Sequence, residues 1–307
     1  MYDLIPSAFR LPFALQRRLE AASSELLRPI SGPPVNFAMP MGEPALVSPH
    51  SVSWRVFKNP IALYIGGIAA VILELAEPAV RSGVWDHSTF RSDPLRRLRR
   101  TGLAAMITVY GARSVAEPMI ARIVRMHAQI TGHTATGESY AASDAALLTW
   151  VHITAAYGFA RAYSSYVEPL GKDQVDSLYG EGEMAARLYG AVDPPTSAPA
   201  VDVLFNSMGG RLERSEVIFR FLDIMRETAT LPPALAWMQP LLVRAAVDLI
   251  PDWIRQHLGL DENLGLRRRE RWIVRAAGAL ANRIVLGDGP AAQSCFRMGL
   301  PLHHLYS

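Results

Sequence analysis

Apolar residues recur every three or four positions through most of the chain, the spacing that puts them on one face of a helix. The pattern predicts a short helix near residues 12–27 and an apolar helix over 60–77 that Pro78 stops. A third helix starts at Asp93 as N-cap and Pro94 as first residue, and ends near Gly111. The next opens on Ser114 and Glu117 as a capping box and stops near Gly132. A long helix covers 143–167, and "SLYGEGEMAARLYGAV" continues as helix to the break "DPPTSAP". Helices follow over 200–208, 214–226, 232–250 and 266–285. "RPISGPPVNFAMPMGEP" is loop by its proline and glycine, and "RSGVWDHSTFRSDP", with Asp86 and His87, reads as a polar loop. Alternating β-branched runs with tight turns are almost missing. The expected fold is all-α: one helical domain over 51–290, an N-terminal extension over 1–50 and a tail over 291–307.

Composition sharpens this. Half of the 307 residues are hydrophobic, 19% are charged, and the mean hydropathy is +0.12. The longest apolar run, "IALYIGGIAAVILEL", is broken by Glu74 and too short to span a bilayer, so it reads as a buried core helix. The overall hydrophobicity leaves peripheral membrane contact open. The N-terminus lacks the order of a secretory signal, which predicts a cytoplasmic chain. The net charge of +3 comes from scattered arginines, many beside acids, and does not suggest nucleic-acid binding. One cysteine, Cys295, excludes an intrachain disulfide and a thiolate metal cluster.

Two histidines stand on apolar faces. His127 shares a face with Ile120, Ile123, Val124 and Ile130; His152 shares one with Leu148, Val151, Ala155 and Phe159. A lone histidine so placed is ordinarily a core residue bonded to a carbonyl. Two on neighbouring helices admit a second reading: a neutral imidazole in an apolar pocket is how a helical protein holds haem iron. In "RRLRRTGLAAMITVYG", Arg97, Arg100 and Thr101 lie at i, i+3 and i+4, and Thr108 continues that face. Arg96 and Arg99 point elsewhere, to solvent. A charge run is ordinarily a solvated face. The alternative is that guanidiniums and a hydroxyl reach the mouth of an apolar cavity, where they pair with propionates or an oxygen-derived ligand.

The order "DHSTF", "DPLRRLRRT", "VYG", "RMHAQITG", "YAASDAALLTWVH", "LIPDWIRQHLGL" resembles the oxygenase MpaB / rubber oxygenase (latex clearing protein) family, over roughly Trp54 to Val285. The resemblance implies a haem b protein with a globin-like helical core and extra helices. It implies an oxygenase acting with dioxygen on an apolar, isoprenoid or lipid-like substrate, by oxidative cleavage of a double bond. It maps the iron ligand to His127 and a second recurrent histidine to His152. It places Arg97, Arg100 and Thr101 on the distal side, with Arg100 where rubber oxygenases have lysine. An arginine there cannot lose its proton. Glu74 and Glu77 are the nearest candidates for the distal carboxylate, and Glu77-Pro78 replaces a frequent His-Pro. Trp150 and Tyr140 read first as ordinary core packing, with pocket walls as the alternative. Two rival expectations are a haem-binding sensor or carrier without turnover, and a helical scaffold that has lost the cofactor.

Overall fold

The structure, a computed structural model, describes residues 12–29 and 32–306 and is mostly helical. Helix α1 (Phe13–Leu26) precedes a loop to α2 (Val52–Phe57), then α3 (Pro60–Ala76) and α4 (Pro78–His87). Asn59 caps α3 by accepting from the amides of Ile61 and Ala62. Glu77 ends α3 and starts α4, its Oε2 accepting from Val80 N at 2.7 Å. The chain turns by 110° there. Proline is compatible with the first turn of a helix, so Pro78 both stops one helix and opens the next. The expected polar loop at 81–94 is therefore corrected: residues to His87 are helical, and Asp86 and His87 lie exposed at the end of α4.

Helix α5 (Pro94–Tyr110) begins as predicted, with Asp93 accepting from Arg96 N at 3.1 Å. Helix α6 (Arg113–His127) does not use the predicted capping box. Glu43 from the preceding loop takes both the amide and hydroxyl of Ser114, at 2.6 and 2.9 Å, and Glu117 pairs with Arg113. Nor is Gly132 a helix stop. It sits in β1 (Thr131–His133), which pairs antiparallel with β2 (Ser139–Ala141), Gly132 opposite Tyr140. The all-α expectation missed this hairpin because three-residue strands are too short to show alternation.

Helix α7 (Ala145–Tyr166) is followed by α8 (Lys172–Glu181), α9 (Glu183–Tyr189), α10 (Ala198–Met208) and α11 (Glu216–Glu227). A 3₁₀ turn over 233–238 leads to α12 (Gln239–Val247), and then come α13 (Asp252–His257), α14 (Arg268–Ala281) and α15 (Pro290–Arg297). Arg297 of α15 is fully buried; its guanidinium donates to the carbonyls of Phe37, Glu43 and Tyr110 at 2.7, 2.9 and 2.6 Å. Segments from both ends of the chain thus clasp the end of α5. Among the described residues no single helix is long and apolar enough to cross a membrane.

The core is built on α3 and α7, which pack along their length, with α12 and α14 behind them. Their closest approach is Gly66 against Gly158: a Cβ on Gly66 would lie 2.8 Å from the Gly158 carbonyl and from the Phe159 ring. Gly66→Ala should push the pair apart and cost about 1–3 kcal/mol, read as a lowered Tm with the helical circular dichroism retained. On the opposite side α5 packs on α6 and α2, and α6 on α9. Neither α5 nor α6 forms a helix-on-helix seam with α3 or α7. The two layers are joined by side chains, by α2, which packs on α5 and on both α3 and α7, and by α9.

Candidate functional site

The side chains between these layers include those singled out above. Arg97 turns inward from α5 and is half-buried, as is Glu74 on α3. No direct hydrogen bond joins them, yet each feels the other. Burial pushes the Glu74 carboxyl up to about 7, against the opposing pull of Arg97. Burial lowers the pKa of Arg97, Glu74 opposes this, and Arg100 adds to the lowering. His127, at the last turn of α6, is held below the usual imidazole range, first by burial and then by Arg97. One guanidinium therefore links a carboxyl and an imidazole from two other helices in one local field.

Both histidines carry an unmatched nitrogen. His127 Nδ1 and His152 Nε2 are buried without a hydrogen-bond partner. Burial lowers the pKa of His152 to about 4, so it stays neutral. Its surroundings differ from those of His127. Gly182, at the α8–α9 junction, lies so close that a Cβ there would be 3.0 Å from His152 Cε1 and 3.1 Å from Nε2. That corner of the ring faces protein backbone.

The arginine face is only partly as predicted. Arg100 is exposed, its Nη2 donating to Met126 Sδ at 3.7 Å. Thr101 is exposed, and its hydroxyl donates to Arg97 O at 3.0 Å, leaving its lone pairs as acceptors. Arg96 is exposed as expected. Arg99 is not solvated as expected: it pairs with Glu25 of α1 at 3.2 Å, a contact from a separate helix that helical spacing cannot reveal. Thr108 continues the inward face, 3.0 Å from the hydroxyl of Tyr189. Tyr189 and Gly182, which border this region from α9, have no periodic signal in a seven-residue helix.

Of the two carboxylates, Glu77 is committed elsewhere. It caps α4 and its Oε1 accepts from Arg211 at 2.8 Å. Glu74 is the one left to exchange a proton. A carboxyl raised to about 7 in the fold stabilises it fully below the unfolded value near 4.5. That contribution is lost as pH rises through 7. Glu74→Gln should make the protein more stable than the parent at pH 8 and flatten its Tm between pH 5 and 8. An unchanged pH dependence would show that Glu74 ionises normally.

Trp150 is fully buried core: its indole donates to Leu73 O at 3.3 Å and its ring packs on Phe205. Tyr140 lies over Gly132 and lines a cleft of about 760 Å³ with His133, Glu138 and Arg211. A second cleft of about 490 Å³ lies beside Gly180, Glu181 and Glu183. Neither cleft is lined by Arg97, His127 or His152. Among the described residues no group of three or more His, Cys, Asp or Glu could hold a metal ion.

Residues 54–283 match the family described as the catalytic domain of ER-bound oxygenase MpaB/B′ and rubber oxygenase. The chain belongs to this family. No curated protein and no solved structure matches it. The match runs from α2 to just past α14 and contains every residue of the layer interface described above. Membership makes the protein an oxygenase of the MpaB/rubber oxygenase type, and so an oxidoreductase.

Proposed function

We infer that this MpaB-type oxygenase holds haem b between the α5–α6 and α3–α7 layers and oxidises an apolar, isoprenoid or lipid-like substrate with dioxygen. The observation that carries the reading is the linked set Glu74, Arg97 and His127, with an unpartnered buried imidazole nitrogen, at an interface where α5 and α6 make no extensive seam with α3 or α7. These residues fit the cofactor. A neutral imidazole offers a lone pair, and buried guanidinium suits a propionate. His127 would hold the haem iron. His152 is the alternative, disfavoured because Gly182 closes on its Nε2 edge. A globin-like arrangement of the helices around the cofactor belongs to the same proposal.

When bound, haem supplies an iron able to activate dioxygen. The chain does the rest. Arg97 places positive charge beside Glu74, and Arg100 adds charge at the rim. Glu74, poised near neutrality, takes a proton from the substrate side or returns it. Thr101, its proton committed to Arg97 O, offers an acceptor to a distal group. Partly buried Gly67, Val71, Ala155 and Phe159, on stripes of α3 and α7, would keep water out and favour an apolar chain.

The test is dioxygen uptake by the hemin-loaded protein with a short polyisoprene alkene. The expected result is uptake with carbonyl products from double-bond cleavage. Bound haem without uptake on any apolar alkene would replace the enzyme with a carrier or sensor.

A further inference from the structure

Helix α14 packs its inner side through Val274 and Gly278, both buried, and Glu270 on that side pairs with Arg244 at 2.9 Å. At about 100° per residue, the outward arc places Trp272 at its middle. Ala276, Leu280 and Ile273 spread to one side of it; Ala279 lies on the other, bordered by Arg268 and Arg275. Arg269 stands among the apolar positions one turn back. Trp272 is 69% exposed, Leu280 54% and Ile273 41%, a density of apolar surface unusual for one short helix. No carboxylate lies on this arc. Arg275 Nε donates to Ser165 O, whereas Arg268 and Arg269 have no ion pair with the described residues. A large aromatic with aliphatic neighbours, rimmed by unneutralised guanidiniums, has the composition of a helix that lies in a membrane interface. Charge decides the occupant: with only cations on the arc, the complementary surface is anionic, and the flat apolar strip suits lipid rather than a pocketed partner.

We propose that the outward face of α14 docks the protein on an anionic lipid surface, with Trp272 inserted at headgroup level and Arg268, Arg269 and Arg275 on the lipid phosphates. This binding is independent of any cofactor and would bring the protein to where apolar substrates partition.

The test is sedimentation of the full-length chain with vesicles of phosphatidylcholine, alone or mixed with phosphatidylserine. Binding is expected to the mixed vesicles only, and to weaken with added salt. Each arginine is expected to contribute about a fivefold factor, so Arg268→Gln/Arg269→Gln should weaken partitioning roughly 25-fold. Trp272→Ser and Leu280→Gln should weaken it too. Arg268→Lys/Arg269→Lys should restore it, and Val203→Glu on the exposed side of α10 should leave it unchanged. Circular dichroism and Tm check that each variant folds. Three results would overturn the proposal: no binding by the parent chain, equal binding by the α14 variants, or a dimer in light scattering that Trp272→Ser dissolves.

Discussion

His127→Ala is expected to abolish tight haem uptake, and His152→Ala to leave most of it. Apolar burial of a macrocycle is spread over many contacts, but the axial bond comes from one nitrogen. Loss of groups that merely orient metal ligands costs about 10–100-fold in affinity, so loss of the ligand itself should cost ~100-fold or more. Burial first and the Arg97 guanidinium second hold the His127 imidazole below its usual range, so it lies within reach of that charge at the layer interface. His152 is more deeply buried, but Gly182 covers its Nε2 edge, so its removal should disturb packing first. Hemin titration followed by absorbance distinguishes the two. The opposite ranking would move the ligand to α7, and undiminished uptake by both variants would make both histidines structural.

Arg97→Ala is expected to retain the cofactor but lower turnover by about 10²-fold, the scale for removing one preorganised charged donor from a dry site. Arg97 opposes the burial of Glu74, so its loss should push that carboxyl further up and move the acidic limb of the pH–rate profile to higher pH. Arg99→Ala and Arg96→Ala should leave turnover unchanged, because Arg99 reaches α1 and Arg96 faces solvent. Equal losses from Arg96, Arg97 and Arg99 would mean that the cluster acts as a diffuse positive patch.

Helical order was legible where a cap and a period agree. Asp93-Pro94 started α5 as read, because the side chain that caps a helix lies within three residues of the amide it satisfies. The capping box at Ser114 failed because Glu43, seventy-one residues away, supplies a better acceptor. Pro78 was readable as a stop; its second role as the start of α4 depends on the Glu77 side chain. The arginine helix shows the same limit. Spacing put Arg97, Arg100 and Thr101 on one face, but it could not say that only Arg97 turns under the neighbouring helices. Nor could spacing choose between Glu74 and Glu77. That choice came from Arg211, which engages Glu77 from a distant loop. Tyr189 was unreadable because it meets Thr108 across the fold from a helix too short to have a period.

The most direct measurement of the central claim is the visible spectrum of the purified protein titrated with hemin. A saturable Soret band with an equimolar end point is expected, and acidified organic solvent should remove all the colour, since the chain has no C-x-x-C-H attachment motif. A preparation that stays colourless and takes up no added hemin would contradict it.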